Sequence, residues 1–266
     1  MAAPCLDFDT SISRPLPHPS IMKNLLLCLL TAVAFHHVEA TTTVTNSFSG
    51  GISFVGQTNA TVLTTNISAL PAKYSLQAQL EKVTGIGGVA SSSSVDQFMA
   101  SQWSTNSFSS DKYFQLNLNA SPAAGIPFAY FDTVTVDFAV RRSSSGPRQF
   151  QWRSSLDNFG SAITNFSLVN PSLALSGGVL TLPDTSSTET FAGNRFVLSG
   201  AVLLNATNLT LRLYGYQAES ALGQGGLDSP FALSGKIAIP EPSTYALLSL
   251  SAALGALLRM RCGSGS

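Results

Sequence analysis

The chain has 266 residues, fourteen basic against fourteen acidic, and only 11% of its residues are charged. Zero net charge leaves no basic footprint for nucleic acid and no field to steer charged ligands. Cys5, Cys28, Cys262, His18, His36 and His37 all lie near the two ends, so the long middle has no thiolate, no imidazole base and no Cys/His zinc site.

Residues 1–40 read as a leader. The stretch 1–21 contains prolines and no apolar period, so the expected true start is Met22. Met22-Lys23-Asn24 is a short positive region, and Leu25–Phe35 is an apolar run of 11 residues. Val38-Glu39-Ala40 then offers a site for signal peptidase, with cleavage expected after Ala40. At 1.5 Å per residue the apolar run is too short to span a bilayer.

Strand signals fill the region that follows. Thr43–Val55 and Thr61–Ile67 come first. Ala69–Val83 reads as the one helix, with Leu76, Leu80 and Val83 at helical spacing. Tyr113–Leu118 and Thr133–Val140 alternate as strands do. Gly146-Pro147 predicts a turn that makes neighbours of Phe138–Arg142 and Gln149–Arg153. Phe150 and Trp152 share one face of the second of these. Leu156–Gly160 reads as a tight loop in which Asp157 or Asn158 accepts from its own backbone. Gly178–Leu182, Leu209–Tyr216 and Phe231–Ile239 complete the strands, with Gly, Ser, Pro and Asn clusters between the runs. Arg141, Arg142, Arg153 and Arg212 are expected to pair with Asp132, Asp137 and Asp157 across strands. The fold class is therefore all-β: an antiparallel, jelly-roll-like β-sandwich over 41–239, with a barrel as the competing closure.

The same region offers little chemistry. It holds ten basic and ten acidic residues once Arg14, Lys23, Arg259 and Arg261 on one side, and Asp7, Asp9, Glu39 and Glu241 on the other, are set apart. A Ser-His-Asp triad is impossible without histidine. Two carboxylates would suffice for a glycoside hydrolase, but none falls in a recognisable pair, so no enzyme and no catalytic residue is expected. Asp132, Asp137, Asp157 and Asp228 are carboxylates of the type that bind calcium; without a D-x-D-x-D-G loop, no metal and no cofactor is expected. Trp103, Trp152, Tyr214 and Tyr216 are the candidate glycan contacts. Against that reading, buried rings more often fill a core.

The C-terminal segment, 240–266, has three parts. Pro240-Glu241-Pro242 is an extended motif, because each proline lacks an N–H and disfavours helix before it. Tyr245–Leu258 is an uncharged run of 14 residues, about 21 Å long as a helix against a hydrocarbon core of about 30 Å. It is expected to form a single hydrophobic helix whose reach is extended by the stems of Arg259 and Arg261. Those arginines favour the cytoplasmic side, which places the body outside.

This order of motif, apolar helix and basic end resembles the PEP-CTERM sorting signal of Gram-negative bacteria. The resemblance implies processing by exosortase, a membrane-embedded cysteine transpeptidase-like enzyme, near the Pro-Glu-Pro motif. It also implies an inner-membrane intermediate and delivery to the cell surface or to an exopolysaccharide matrix. The basic cluster is thinner than the family pattern, and Gly263–Ser266 follows it. Ser143–Ile163, Leu211–Gln217 and Leu233-Ser234-Gly235 further resemble a β-rich ectodomain of PEP-CTERM proteins from bacteria such as verrucomicrobia, a match over roughly 113–239. No activity is implied. The expected role is structural or adhesive, with a glycan-binding module as the alternative.

Overall fold

The structure is a computed structural model and describes residues 43–54, 62–67, 74–82, 85–87, 97–122, 129–203 and 206–240. The leader 1–40, Glu241, Pro242, the Tyr245–Leu258 run, Arg259 and Arg261 lie outside the described residues.

Among the described residues the chain is all-β. In order the strands are β1 (Thr43–Gly51), β2 (Val62–Ile67), β3 (Tyr74–Lys82), β4 (Gln97–Ala100), β5 (Tyr113–Pro122), β6 (Tyr130–Arg142) and β7 (Pro147–Ser154). After these come β8 (Phe166–Leu168), β9 (Ala174–Ser176), β10 (Val179–Thr181), β11 (Glu189–Ser199), β12 (Asn208–Ala218) and β13 (Gly225–Pro240). Two short 3-10 turns, Ser155–Asp157 and Gly200–Leu203, are the helical elements among the described residues. No described helix is long and apolar enough to cross a membrane.

The strands form two antiparallel sheets. The first runs β1-β13-β6-β11-β8, and β4 lies on β13 beyond the end of β1. The second runs β2-β3-β5-β12-β7-β10-β9. Alternation drives each choice of face. In β5, Phe114, Leu116, Leu118 and Ala120 are buried; in β12, Leu209, Leu211 and Leu213 are buried. In β6 the alternating residues Val134, Val136, Phe138 and Val140 are buried. Each fully buried Val, Leu or Phe contributes about 1.5–3 kcal/mol relative to exposure. Rings from the two sheets meet in the shared core: Phe98 on Phe114 at 4.7 Å, Phe138 on Trp152 at 5.6 Å, and Trp152 on Phe196 at 5.6 Å.

The expected helix at Ala69–Val83 is not formed; its described part is strand β3. Leu76 and Leu80 are four apart, a spacing that lies on one face of a helix and also on one face of a strand. Ala78, buried between them, decides for the strand, with Gln77, Gln79 and Glu81 on the opposite face.

The turn at Ser143–Gly146 closes as expected, with the Gly146 amide donating to the Ser143 carbonyl at 3.0 Å. It does not make its flanking strands partners. β6 pairs with β11 and β13, whereas β7 pairs with β12 and β10. The turn carries the chain from one sheet to the other. β11, missing from the strand signals above, fills the place beside β6. Its register shifts between Phe191 and Asn194, where Gly193 takes φ +84°. That bulge breaks the alternation.

None of the four arginines pairs with the expected aspartates. Arg141 pairs with Asp228 at 2.9 Å, and Arg142 with Glu219 at 2.7 Å. Asp137 pairs instead with Arg195 at 2.6 Å. Arg153 and Arg212 pair with no carboxylate among the described residues, for the reason that follows.

Candidate functional site

All four candidate glycan contacts are closed to solvent. Trp103 and Trp152 are 1% and 0% exposed, and Tyr214 and Tyr216 are 2% and 7% exposed. A stacking platform needs an open ring face, so the expectation of sugar contact at these residues is corrected. Trp103 donates its Nε1–H to the carbonyls of Ala100 (2.8 Å) and Gly225 (3.1 Å). It lies edge-on to Phe114 and Phe150 and against Gly215, where a Cβ would stand 2.9 Å from its Cε3. Trp152 lies between Phe138 and Phe196. Tyr214 and Tyr216 do point away from this core, on the outer face of β12, but Phe108 covers both at 4.9 and 6.0 Å. Of the sorting motif, Pro240 is described: it ends β13 opposite Thr43.

The outer face of the second sheet holds a cluster of rings and guanidinium groups. It joins residues of two stretches singled out above, Ser143–Ile163 and Leu211–Gln217. Arg212 stands opposite Arg153 on one side and Gln115 on the other. Two like charges directly opposed on a sheet repel, and each is held by other means. The 3-10 turn Ser155–Asp157 ends in left-handed residues Asn158 (φ 56°) and Phe159 (φ 58°). Asp157 accepts from the Ser161 amide at 2.8 Å, as the loop reading expected. The loop folds Phe159 back so that the Arg212 guanidinium lies 3.8 Å from its ring and 4.2 Å from that of Tyr113. Arg153 donates to the carbonyls of Phe159 (2.8 Å) and Gly160 (3.0 Å) and lies 4.1 Å over Phe108. Each cation–ring contact contributes about 0.5–2 kcal/mol, more as it is desolvated.

Burial raises the Tyr216 phenol above its ordinary value, and the Arg153 charge lowers it in part. A raised acid holds its proton more tightly when folded. The stability it contributes is therefore complete below the ordinary tyrosine range and is lost as pH rises through the folded value. Tyr216→Phe is expected to weaken the alkaline loss of stability above about pH 10. Denaturant titrations at pH 8 and pH 11 check it; an unchanged pH dependence would count against the assignment.

Beside the cluster the outer face becomes a polar lattice. β3 contributes Gln77, Gln79 and Glu81; opposite them β5 contributes Asn119, Asn117 and Gln115. Opposite those in turn β12 contributes Asn208, Thr210 and Arg212. Every one of these positions is polar. Gln115 donates to Glu81 at 2.7 Å, Arg212 Nε donates to Gln115 at 2.8 Å, and the Thr210 hydroxyl donates to Asn117 at 3.1 Å. These bonds fix a row across β3, β5 and β12. Gln77 is exposed and Gln79 half-buried. The alternation of these residues was visible in the sequence. Their lateral alignment was not, because it depends on which strands pair.

Among the described residues, no group of three or more His, Cys, Asp or Glu side chains is placed to hold a metal ion. No family model, curated protein or solved structure matches the chain.

Proposed function

We propose that this chain is an exported surface or matrix protein with a structural or adhesive, non-catalytic role. In this reading residues 41–239 form a jelly-roll-like β-sandwich, exported behind the leader cleaved after Ala40. A C-terminal label then sorts it, passing through an inner-membrane intermediate held by a Tyr245–Leu258 helix. Exosortase processes it beside Pro240-Glu241-Pro242, leaving it at the cell surface or in an exopolysaccharide matrix.

The observation that carries the reading is the three-part C-terminus: the Pro-Glu-Pro motif, the uncharged run of 14 residues and the two arginines Arg259 and Arg261. The fold is consistent with this division of labour. β13 ends at Pro240, so a cut at or beyond Glu241 would leave every described strand whole.

Mass spectrometry of surface-released protein is expected to find an N-terminus at Thr41 and a C-terminus between 240 and 243. Released material that still carries Cys262 would overturn the processing step. Fusion of residues 239–266 to an unrelated exported reporter tests sorting directly: retention and trimming are expected only in a host that encodes exosortase.

A further inference from the structure

We infer that the polar lattice on the outer face of the second sheet, with Arg212 at its corner, binds an acidic polysaccharide, one whose sugar units carry carboxylates. The choice of ligand deepens the matrix reading above and rests on it; the face itself does not.

The composition of the face is the first argument. Its nine lattice positions on β3, β5 and β12 hold six neutral amides beside Thr210, Glu81 and Arg212; Asn119, Asn117 and Gln115 face Gln77, Gln79 and Glu81. Asn is depleted in strands because it competes for local backbone hydrogen bonds. A solvated sheet face has no need of Asn117, Asn119 and Asn208 in register. An amide carries both donors and an acceptor, the complement of hydroxyl groups; Gln115 and Asn117 spend part of this capacity on Glu81, Arg212 and Thr210. Strand spacing of about 4.8 Å and the two-residue pleat make the array regular, so it suits a repeating chain better than a single small molecule.

The second argument is charge. Arg212 is anchored by its Nε to Gln115 and clamped between the Phe159 and Tyr113 rings. Its two terminal nitrogens have no hydrogen-bond partner among the described residues. A guanidinium held by its stem with its fork open matches a carboxylate bidentately. Arg153 stands directly opposite and adds a second positive charge that no described carboxylate neutralises. The only lattice carboxylate, Glu81, already accepts from Gln115 and Asn117. The face therefore favours hydroxyls over its width and one anion at its corner. Gln77 is exposed and Gln79 half-buried, and among the described residues no hydrogen bond joins either side chain to Asn119, Asn117 or Gln115 on β5.

The test is electrophoresis of the full chain, in mild detergent, through native gels containing polygalacturonate or dextran. Retardation by polygalacturonate and not by dextran is expected. Arg212→Gln should weaken it roughly tenfold or more, the loss expected for a hydrogen bond to a charged group. Because Arg212 also clamps Phe159, the paired substitution Gln77→Ala with Gln79→Ala serves as the second variant. It breaks none of the hydrogen bonds given above, should leave the melting temperature unchanged and should weaken retardation several-fold. Absence of retardation, equal retardation by dextran, or retardation untouched by both variants would overturn the inference. So would a dimer in sedimentation that the paired variant dissolves, since a second copy would then occupy the face. Failure here leaves the C-terminal trimming result unaffected, and failure of trimming leaves binding unaffected, so the two readings fall separately.

Discussion

Arg142→Met is expected to lower stability by about 3–5 kcal/mol, the cost of removing one side of a buried charged network. In a domain of this size that corresponds to a melting temperature lower by roughly 10 °C. Arg142 is fully buried although it ends a strand next to a turn. Its guanidinium donates to the carbonyls of Ser143 (3.1 Å), Ser144 (2.7 Å) and Pro183 (2.9 Å), and to Glu219 at 2.7 Å. It thus ties the turn between the sheets to the segment after β10 and to the end of β12. Methionine fills much of the space but donates nothing: the Ser144 and Pro183 carbonyls lose this donor, and the Ser143 carbonyl is left with the Gly146 amide. The carboxylate contributes less than the carbonyls do. Glu219 keeps 46% of its side chain exposed, so Glu219→Gln should cost no more than about 1 kcal/mol. Thermal and denaturant melts of both variants decide it: equal losses would mean that the ion pair, not the loop carbonyls, is what the arginine serves.

Trp103→Ala is expected to be of similar size, about 3–5 kcal/mol for the lost burial and the cavity left behind. Part of the loss is specific to the indole N–H, which serves the Ala100 and Gly225 carbonyls at once. Trp103→Phe keeps a ring but drops that donor, and should fall between the two. Gly215 gives an independent check. A Cβ there would come within 2.9 Å of Trp103 Cε3 and 3.1 Å of Phe150 Cε1, so Gly215→Ala should destabilise the native chain. With Trp103→Phe in place, the same change should cost clearly less. Strict additivity in that double-mutant cycle would show that the tryptophan is not what Gly215 makes room for.

What the sequence disclosed follows from which signals are local. Alternation marks a strand without knowledge of its partner, so β5, β6, β7 and β12 were legible within a few residues of their ends, and β13 over its second half, from Phe231 on. Asp157 closing its own loop is equally local. β11 was lost because Gly193 and Asn194 insert a bulge into its alternation, and β8 and β9 are three residues each, too short for a period to show; β10, equally short, was still bracketed by the Gly178–Leu182 reading. β3 was misread because leucines four apart satisfy two periods at once. Pairing is non-local: nothing in Phe138–Arg153 says that a Gly-Pro turn leaves one sheet for the other. The site suffered most from this. Trp103 and Trp152 looked like sugar platforms because tryptophan is the residue such platforms use, yet a core takes tryptophan just as readily. The face that carries the amides needed three strands in register before it existed at all.

The position of β13 has one more consequence. It is the last strand in the chain, yet it lies inside its sheet, with β6 along one side and β1 and β4 along the other. A polypeptide that emerges from its N-terminus delivers both flanks long before the piece that joins them. β6 and β1 must wait, edges open, until Gly225–Pro240 is free, and such waiting edges are prone to wrong partners. Closure of the first sheet therefore requires the chain to have emerged as far as Pro240, the first residue of the Pro-Glu-Pro motif.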